Sequence, residues 1–354
     1  MEDVVVIGAG LSGLTAAGQL HQAGFSVLVV DKSRGLGGRL ATRRLGATAI
    51  DHGCRYLEPF ADSALSPIPE LLTAGVLELW HPEAFSLSAD GALQPIAPGT
   101  LYVAPQGMSA VAKALAPGLN IQRHWRATSL TPLPQGWRIT GEFLGGEAPQ
   151  PTALEARAVV VATPAPQAIA LITAAAQHHE DLSALEQQLQ TVNFEPVMTV
   201  MAGYSPSRSP RLKGQKAAGG WLVAGDGHPT LRWIGLDSSK RTDPKEAPKE
   251  AVVVIHSSAA LAAQTIDRPD LEAVGQELLA TAAATLGAEL SDPAWMQVHR
   301  WRYGFAQTYL NSPVLSSLAL PTLVGCGDWC NGGNAEGAIA SGCQAAQIIA
   351  AALT

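Results

Sequence analysis

The sequence predicts an α/β protein in two parts: a parallel sheet layered with helices, and a smaller α+β unit built on an antiparallel sheet. Three observations predict it. The chain opens with an apolar run, a glycine-rich turn and a helical stretch, VVVIGAGLSGLTAAGQLHQAGFSVLVVD, which outlines a βαβ unit. A second apolar run, AVVVA at 158–162, has the composition of a strand buried on both faces. Beyond residue 190, short β-rich segments (VNFEPVMTVMAGY, GGWLVAG, LRWIGLDSS, AVVVIHSS) recur between Gly, Pro and Asp clusters, as in an antiparallel sheet.

The elements follow in order. Residues 4–7 read as a strand, 11–23 as a helix and 26–30 as a second strand, with Gly24 where the helix should end. Residues 59–99 are Pro-rich and irregular, an excursion from the first part. YVAPQGMSAVAKALAPG resumes with a strand, a turn at Gln106-Gly107 and a helix. Short strands follow, with turn signals in PLPQG and LGGEAP, and end in the buried strand; 166–176 then reads as a buried helix. Residues 178–190 are polar and helix-like, SKRTDPKEAPKEA is a charged, solvated loop, and 270–287 is an amphipathic helix. The last stretch, LVGCGDWCNGGNAEGAIASGCQAAQIIAAAL, is a strand, a Gly-rich loop and an apolar helix. The first domain is therefore expected over 1–58, 100–168 and 298–354, and the second over 59–99 and 169–297.

Composition narrows the function classes. With 354 residues, 47% hydrophobic and 15% charged, the chain is expected to fold. A net charge of -7 gives no electrostatic footprint for nucleic acid. Four cysteines (Cys54, Cys326, Cys330, Cys343) do not make a disulfide framework, and no secretory signal is visible, so a reduced, cytoplasmic protein is expected. The stretch AVVVATPAPQAIALITAAAQ nearly has the length of a membrane span, but Pro164 and Pro166 divide it into a strand and a helix, and no membrane partner is expected. Nine histidines lack H-E-x-x-H spacing and Cys326-x-x-x-Cys330 lacks a second pair, so no metal site is expected. No G-x-S-x-G elbow occurs, and Asp237-Ser238-Ser239-Lys240 reads as a polar turn.

The chemistry-bearing motif is Gly8-x-Gly10-x-x-Gly13 between strand and helix, the Rossmann dinucleotide fingerprint. Gly8 permits the tight turn, Gly10 admits a pyrophosphate, and Gly13 lets the helix pack on the strand. The helix N-terminus supplies free N–H groups to phosphate. Asp31 closes the second strand, where a carboxylate accepts from ribose hydroxyls. FAD and NAD share this half-site. Two further signals bear on the choice: GLGGR at 35–39, whose Arg39 suits a diphosphate or a surface salt bridge, and GDWCNGGNAEGA at 327–338. Asp328 there can bond a ribityl or pyrophosphate group, and the helix near Gly337 can aim its positive end at a flavin ring edge. Ala162-Thr163-Pro164 is another place for backbone to meet cofactor.

These pieces resemble the FAD-dependent oxidoreductases of the flavin amine oxidase superfamily, and more closely its renalase-like branch. The closer likeness rests on DKSRGLGGRLATRR, DHGCRY (51–56), YVAPQGMSAVAKAL, AVVVATPAPQ, VNFEPVMTVM, IGLDSSKR, VVVIHSS, VHRWRY (298–303) and GDW…EGA. The resemblance implies noncovalent FAD held by Gly8, Gly10, Gly13, Asp31, Lys32, Gly38, Arg39, Arg55, Tyr56, Asp328, Glu336, Gly337 and Ala338. No attachment motif surrounds Cys326, Cys330 or Cys343, which read as small buried residues. The resemblance also implies hydride removal from isomeric dihydronicotinamides, the 2- or 6-dihydro forms of NAD(P), with electrons passed to O2 and H2O2 formed.

Substrate-side candidates are fewer. Strand alternation in VHRWRY puts Arg300 and Arg302 on one face and His299, Trp301 and Tyr303 on the other. Trp301 fits a flat wall beside the flavin and nicotinamide rings, and fits a core tryptophan equally. His256 in VVVIHSS and Trp233 in LRWIG are further candidates; a lone His in an apolar strand is more often structural. Three alternatives stay open at this point. The first is an amine oxidase with Trp233, Trp301 and Tyr303 as an aromatic cage, and the second a flavin-binding module without turnover. The third is an NAD-only dehydrogenase; a desaturase-like enzyme of an apolar, membrane-dissolved substrate, which the superfamily resemblance also allows, is disfavoured because the membrane-facing apolar segment it implies is not found in the sequence.

Overall fold

The computed structural model describes residues 1–145, 151–205, 209–212, 220–241 and 250–354. Most of the expected LGGEAP turn and the centre of the charged SKRTDPKEAPKEA loop lie outside them. The chain begins β1 (Glu2–Ile7), α1 (Leu11–Gln22), β2 (Val27–Asp31), β3 (Thr42–Leu45) and β4 (Thr48–Asp51). It continues α2 (Ile68–Thr73), β5 (Glu78–Trp80), β6 (Glu83–Leu87), β7 (Leu93–Ile96), β8 (Leu101–Val103) and α3 (Ser109–Ala114). Then come β9 (Asn120–Arg123), β10 (Trp125–Leu133), β11 (Gly136–Phe143), β12 (Ala153–Val161), α4 (Ala165–Ala176) and α5 (Glu180–Gln190). The remainder is β13 (Phe194–Tyr204), β14 (Trp221–Gly225), β15 (Leu231–Leu236), β16 (Ala251–Ser257), α6 (Ala259–Thr265), α7 (Leu271–Leu286), β17 (Trp295–Ala306), β18 (Leu323–Gly325) and α8 (Ala335–Leu353).

Two seven-stranded sheets organise these elements. In the first, β1 lies parallel between β12 and β2, β9 extends the parallel edge beyond β2, and β18 pairs parallel with the end of β12. The hairpin β10–β11 continues this sheet antiparallel from the start of β12. The run Val4-Val5-Val6-Ile7 is apolar throughout because helices cover both faces. Val4 and Val6 meet Leu14 and Leu20 of α1 and Ile339 of α8; Val5 and Ile7 share a core with Trp125, Trp137 and Leu171. Helices α1 and α8 cross closely enough that a Cβ on Gly342 would overlap the Ser12 carbonyl.

The second sheet runs β17-β13-β16-β15-β14-β6-β7, antiparallel except for β14 beside β6. Val200, Val253 and Ile255 face one side with Leu278 and Leu279 of α7. Met201, Val252, Val254 and Trp233 face the other, against Ile50 of β4 and Val103 of β8. That second face looks toward the nucleotide half.

Two expected boundaries change. Residues 298–306, expected in the first domain, complete the edge strand β17 of the second sheet, where Val298 to Trp301 pair with Val200 to Val197 of β13 and leave His299 and Trp301 half-buried. Residues 169–192, expected in the second domain, belong to the first: Leu171, Ile172, Leu182, Leu185 and Leu189 bury the face of α4 and α5 against Trp125 and Trp137. The excursion at 59–99 also holds more structure than its prolines suggest, since β6 and β7 edge the second sheet.

Candidate active site

The β1–α1 turn forms a cradle. Gly8 has φ +112°, and a Cβ on it would stand 2.8 Å from the Ala162 carbonyl oxygen. A Cβ on Gly13 would overlap the Gly8 carbonyl, so the helix sits as close to the strand as glycine allows. Gly10, by contrast, faces open space, with no atom within 4 Å of a Cβ placed there. It caps α1 without a side-chain hydrogen bond, which leaves the helix-start amides for a ligand. Gly37 of the GLGGR segment donates its N–H to the Ala9 carbonyl at 2.8 Å, and Gly38 beside it has φ +55°. Asp31 accepts from the N–H groups of Ala9 and Ser33, both at 2.7 Å, and each of its oxygens retains a lone pair for a ribose hydroxyl. The Thr163 hydroxyl next to Ala162 is buried without a hydrogen-bond partner.

The remaining cofactor candidates divide. Arg39 and Asp328 form a bidentate pair at 2.8 and 2.6 Å, and Arg39 also donates to the Gly304 carbonyl at 3.2 Å. That pair ties the GLGGR segment to the C-terminal loop and to β17. Gly337 donates its N–H to Asn334 Oδ1 at 2.8 Å, and Ala338 is buried behind it. Other expected contacts are engaged elsewhere. Glu336 accepts from the backbone N–H groups of Ala61 and Asp62 at 3.0 and 2.9 Å, so it anchors the 61–62 loop. Lys32 is exposed and its ammonium donates to Gln167 at 3.3 Å. Arg55 and Tyr56 face the second sheet: the guanidinium lies 5.5 Å from the Trp233 ring, and the Tyr56 ring 6.3 Å from Trp80.

The three substrate-side candidates come together on one face of the second sheet. Pairing puts Trp233 opposite His256, His256 opposite Thr199, Thr199 opposite His299, and Trp301 opposite Val197. All share the face that looks toward the nucleotide half, as period-2 alternation requires. Trp301 donates its indole N–H to the His52 carbonyl at 2.9 Å and stacks on the His52 ring at 5.4 Å. A Cβ on Gly53 would stand 3.2 Å from the Trp301 ring. Tyr303, two residues beyond Trp301, packs edge-on to Phe194, whose ring lies under the Arg39 guanidinium at 5.9 Å. Buried polar atoms without partners among the described residues concentrate here: both nitrogens of His256, Trp233 Nε1, Thr199 Oγ1 and His52 Nδ1.

These imidazoles are held neutral. Burial, then the charge of Arg55 and of Lys240, pushes His256 well below its ordinary value. Burial pushes His52 down to about 4, with His299 and Arg43 adding to it, and burial with Arg43 pushes His299 down to about 4. In the unfolded chain these imidazoles take a proton near about 6.5. Between those values the unfolded state binds more protons, so stability rises with pH. The unfolding midpoint is therefore expected to fall as pH drops from 7 to 4.5, and less so in His52→Gln/His299→Gln. Parallel slopes for the two proteins would refute the assignment.

Sequence reasoning missed a buried ionic cluster. Asp237-Ser238-Ser239-Lys240 is a 3-10 turn, but Asp237, Lys240 and Arg241 are buried. Lys240 Nζ donates to Asp237 at 2.7 Å. Arg241 donates to Asp51 at 2.8 Å, to Asp237 at 2.9 Å, and to the carbonyls of Ala49 and Ala104. Asp51 in turn accepts from Met108 N–H and Thr42 Oγ1. Burial raises the Asp51 carboxyl, but Arg241 and Lys240 outweigh it and hold it below its ordinary value. The cluster joins the β3–β4 hairpin to the second sheet directly behind His52 and Arg55.

Comparison with known families decides the class. Residues 6–68 match a family described as NAD(P)-binding Rossmann-like domain, and residues 96–350 match one described as flavin containing amine oxidoreductase. The chain belongs to this flavin amine oxidoreductase family. Among curated relatives of this flavoprotein, amine oxidase [flavin-containing] B of Rattus norvegicus is 39% identical over 70 residues, covering 20% of this chain and 14% of its own. L-amino acid dehydrogenase of Synechocystis sp. is 34% identical over 90 residues, covering 25% of this chain and 17% of its own. The matched stretches thus span only a small part of those relatives. Cyclohexylamine oxidase from Brevibacterium oxydans has a similar fold over 99% of both chains, with TM-score 0.69 and 17% identity. A putrescine oxidase mutant is similar over 99% of both, with TM-score 0.69 and 14% identity. The open cradle at Gly10, the Asp31 carboxylate and the unpartnered Thr163 hydroxyl fit FAD, the cofactor of this family. Burial pushes the Cys330 thiol up to about 12, which keeps it in the unreactive thiol form. Among the described residues, no helix is long and apolar enough to cross a membrane, and no group of three His, Cys, Asp or Glu could hold a metal.

Proposed function

We propose that this flavoprotein is an FAD-dependent oxidase whose substrate is an isomeric dihydronicotinamide, a 2- or 6-dihydro form of NAD(P), oxidised to NAD(P)+. The observation that carries the reading is the row of Trp301, His299, His256 and Trp233 on the sheet face opposite the nucleotide cradle. Such a wall suits a flat, uncharged dihydropyridine ring. The bound flavin supplies hydride acceptance and the passage of electrons to O2, with H2O2 formed.

The protein's own part is orientation and exclusion. Trp301 is fixed by its hydrogen bond to His52, so its ring offers a pre-set surface for a planar substrate. Removing hydride from a dihydropyridine needs no proton abstraction, which suits a wall whose imidazoles stay neutral. Arg55, which has no carboxylate partner among the described residues, also disfavours a protonated amine beside Trp233.

A second reading is an oxidase of small amines, which the family match and the pair Trp233 and Trp301 favour. Anaerobic reduction of the purified holoprotein separates the two. Rapid bleaching of flavin absorbance by a 2- or 6-dihydro isomer, with little by primary amines, is expected. Bleaching by amines alone would overturn the dihydronicotinamide reading. Tight flavin with no reductant in a broad screen would point to a binding module without turnover.

A further inference from the structure

Arg55 is the one charged group on this wall whose partner is missing among the described residues. Lys240 and Arg241 are balanced by Asp51 and Asp237. Arg232 is paired with Glu195 at 2.6 Å, and Arg39 with Asp328. Arg55 meets only ring faces: its guanidinium carbon lies 5.2 Å from the Tyr56 centroid and 5.5 Å from the Trp233 centroid. A guanidinium offers five N–H donors in a planar fork that matches an oxyanion.

Two buried groups beside it have polar atoms without partners among the described residues. Trp233 is 1% exposed and its Nε1 has no partner. His256 is 2% exposed, its ring lies 5.7 Å from Trp233, and neither of its nitrogens has a partner. A neutral imidazole always carries one N–H. Buried donors left unmet are costly, and two of them, the Trp233 indole N–H and one His256 N–H, lie beside the half-buried Arg55 guanidinium, which a single acceptor would serve.

We propose that Arg55, the Trp233 indole N–H and the His256 imidazole form a receptor for an oxyanion carried by the substrate, a carboxylate or a phosphate. This reassigns Arg55 from the cofactor to the substrate. The proposal rests on the oxidase reading for calling the ligand a substrate, while the receptor itself is testable without turnover.

The test is a titration of oxidised holoprotein, followed by calorimetry and by the change in flavin absorbance. The probes are benzoate, phenyl phosphate and uncharged benzamide. One of the two anions is expected to bind well above benzamide. Preference for benzoate would mark a carboxylate-bearing substrate, and preference for phenyl phosphate a nucleotide phosphate. Arg55→Met is expected to weaken that anion by at least about thirtyfold while flavin content stays at the wild-type level. Trp233→Phe keeps an aromatic ring, smaller than the indole, and loses the N–H, and is expected to cost about tenfold in the affinity of the anions with benzamide binding unchanged. Trp233→Phe decides the matter should Arg55→Met fail to fold.

Equal binding of benzamide and the anions would overturn the proposal, as would unchanged anion affinity in the variants. So would loss of flavin in a folded Arg55→Met protein, which would return Arg55 to the cofactor. Failure of the dihydronicotinamides to bleach the flavin would sink the oxidase reading and leave the anion titration intact.

Discussion

Arg241→Met is expected to destabilise the holoprotein by about 3–5 kcal/mol, because it leaves buried carboxylates without their main counter-charge. Asp237 would keep Lys240 at 2.7 Å, but Asp51 would have Lys240 only at 3.8 Å. The carbonyls of Ala49 and Ala104 would lose their donor as well. Urea unfolding followed by tryptophan fluorescence measures the loss, with the midpoint as the readout. A shift within experimental error would mean that the cluster is solvated. The quadruple replacement Asp51→Asn, Asp237→Asn, Lys240→Met, Arg241→Met removes every charge together. It is expected to lose less than Arg241→Met alone, because a buried ionic group costs most when only part of it is removed.

Gly13→Ala is expected to weaken FAD binding by about tenfold or more, the scale of forcing one methyl into a close-packed contact. The added Cβ would overlap the Gly8 carbonyl and sit 3.0 Å from the Ala162 side chain, so α1 must move off β1. That motion carries the helix-start amides away from where phosphate would lie. Gly18→Ala is the control: a Cβ at Gly18 meets nothing within 4 Å, and alanine favours the helix. Titration of apoprotein with FAD, read by quenching of flavin fluorescence, gives the two dissociation constants. Unchanged affinity in Gly13→Ala would show that this helix start does not grip the cofactor.

The nucleotide half was legible because its signals are local. β1, the glycine turn, α1 and Asp31 lie within 31 consecutive residues, and hydrophobic runs, glycine spacing and a terminal acid each have one reading there. The two faces of VHRWRY were legible as well, because alternation along a strand sorts its residues without knowledge of the partner strand; that Trp233 and His256 share the face of Trp301 follows only from the pairing across β13 and β16. Cross-chain partnerships were not. Lys240 and Arg241 follow a polar turn and read as solvated. Asp237 is local, but the second carboxylate that balances their two charges is Asp51, almost two hundred residues earlier. Glu336 likewise gave no local sign that its two oxygens would each accept a backbone N–H from Ala61 and Asp62, some 275 residues earlier. Arg55 stands beside Tyr56 in sequence, and nothing local told which sheet its guanidinium would face.

The crossing of α1 and α8 bears on when the cofactor can load. Ser12 and Gly342 meet at that crossing, and Gln19 donates to Cys343 at 3.0 Å. β1 cannot be flanked until β12 emerges, and β18 joins the sheet later still. Parallel pairings across so much chain form slowly. A ribosome that has delivered the first fifty residues has therefore delivered the fingerprint but no working cradle. Arg39 must await Asp328, and α1 must await α8. Closing the cradle therefore needs the last part of the chain, and a nascent chain that exposes the apolar faces of β1 and α1 before then is open to aggregation.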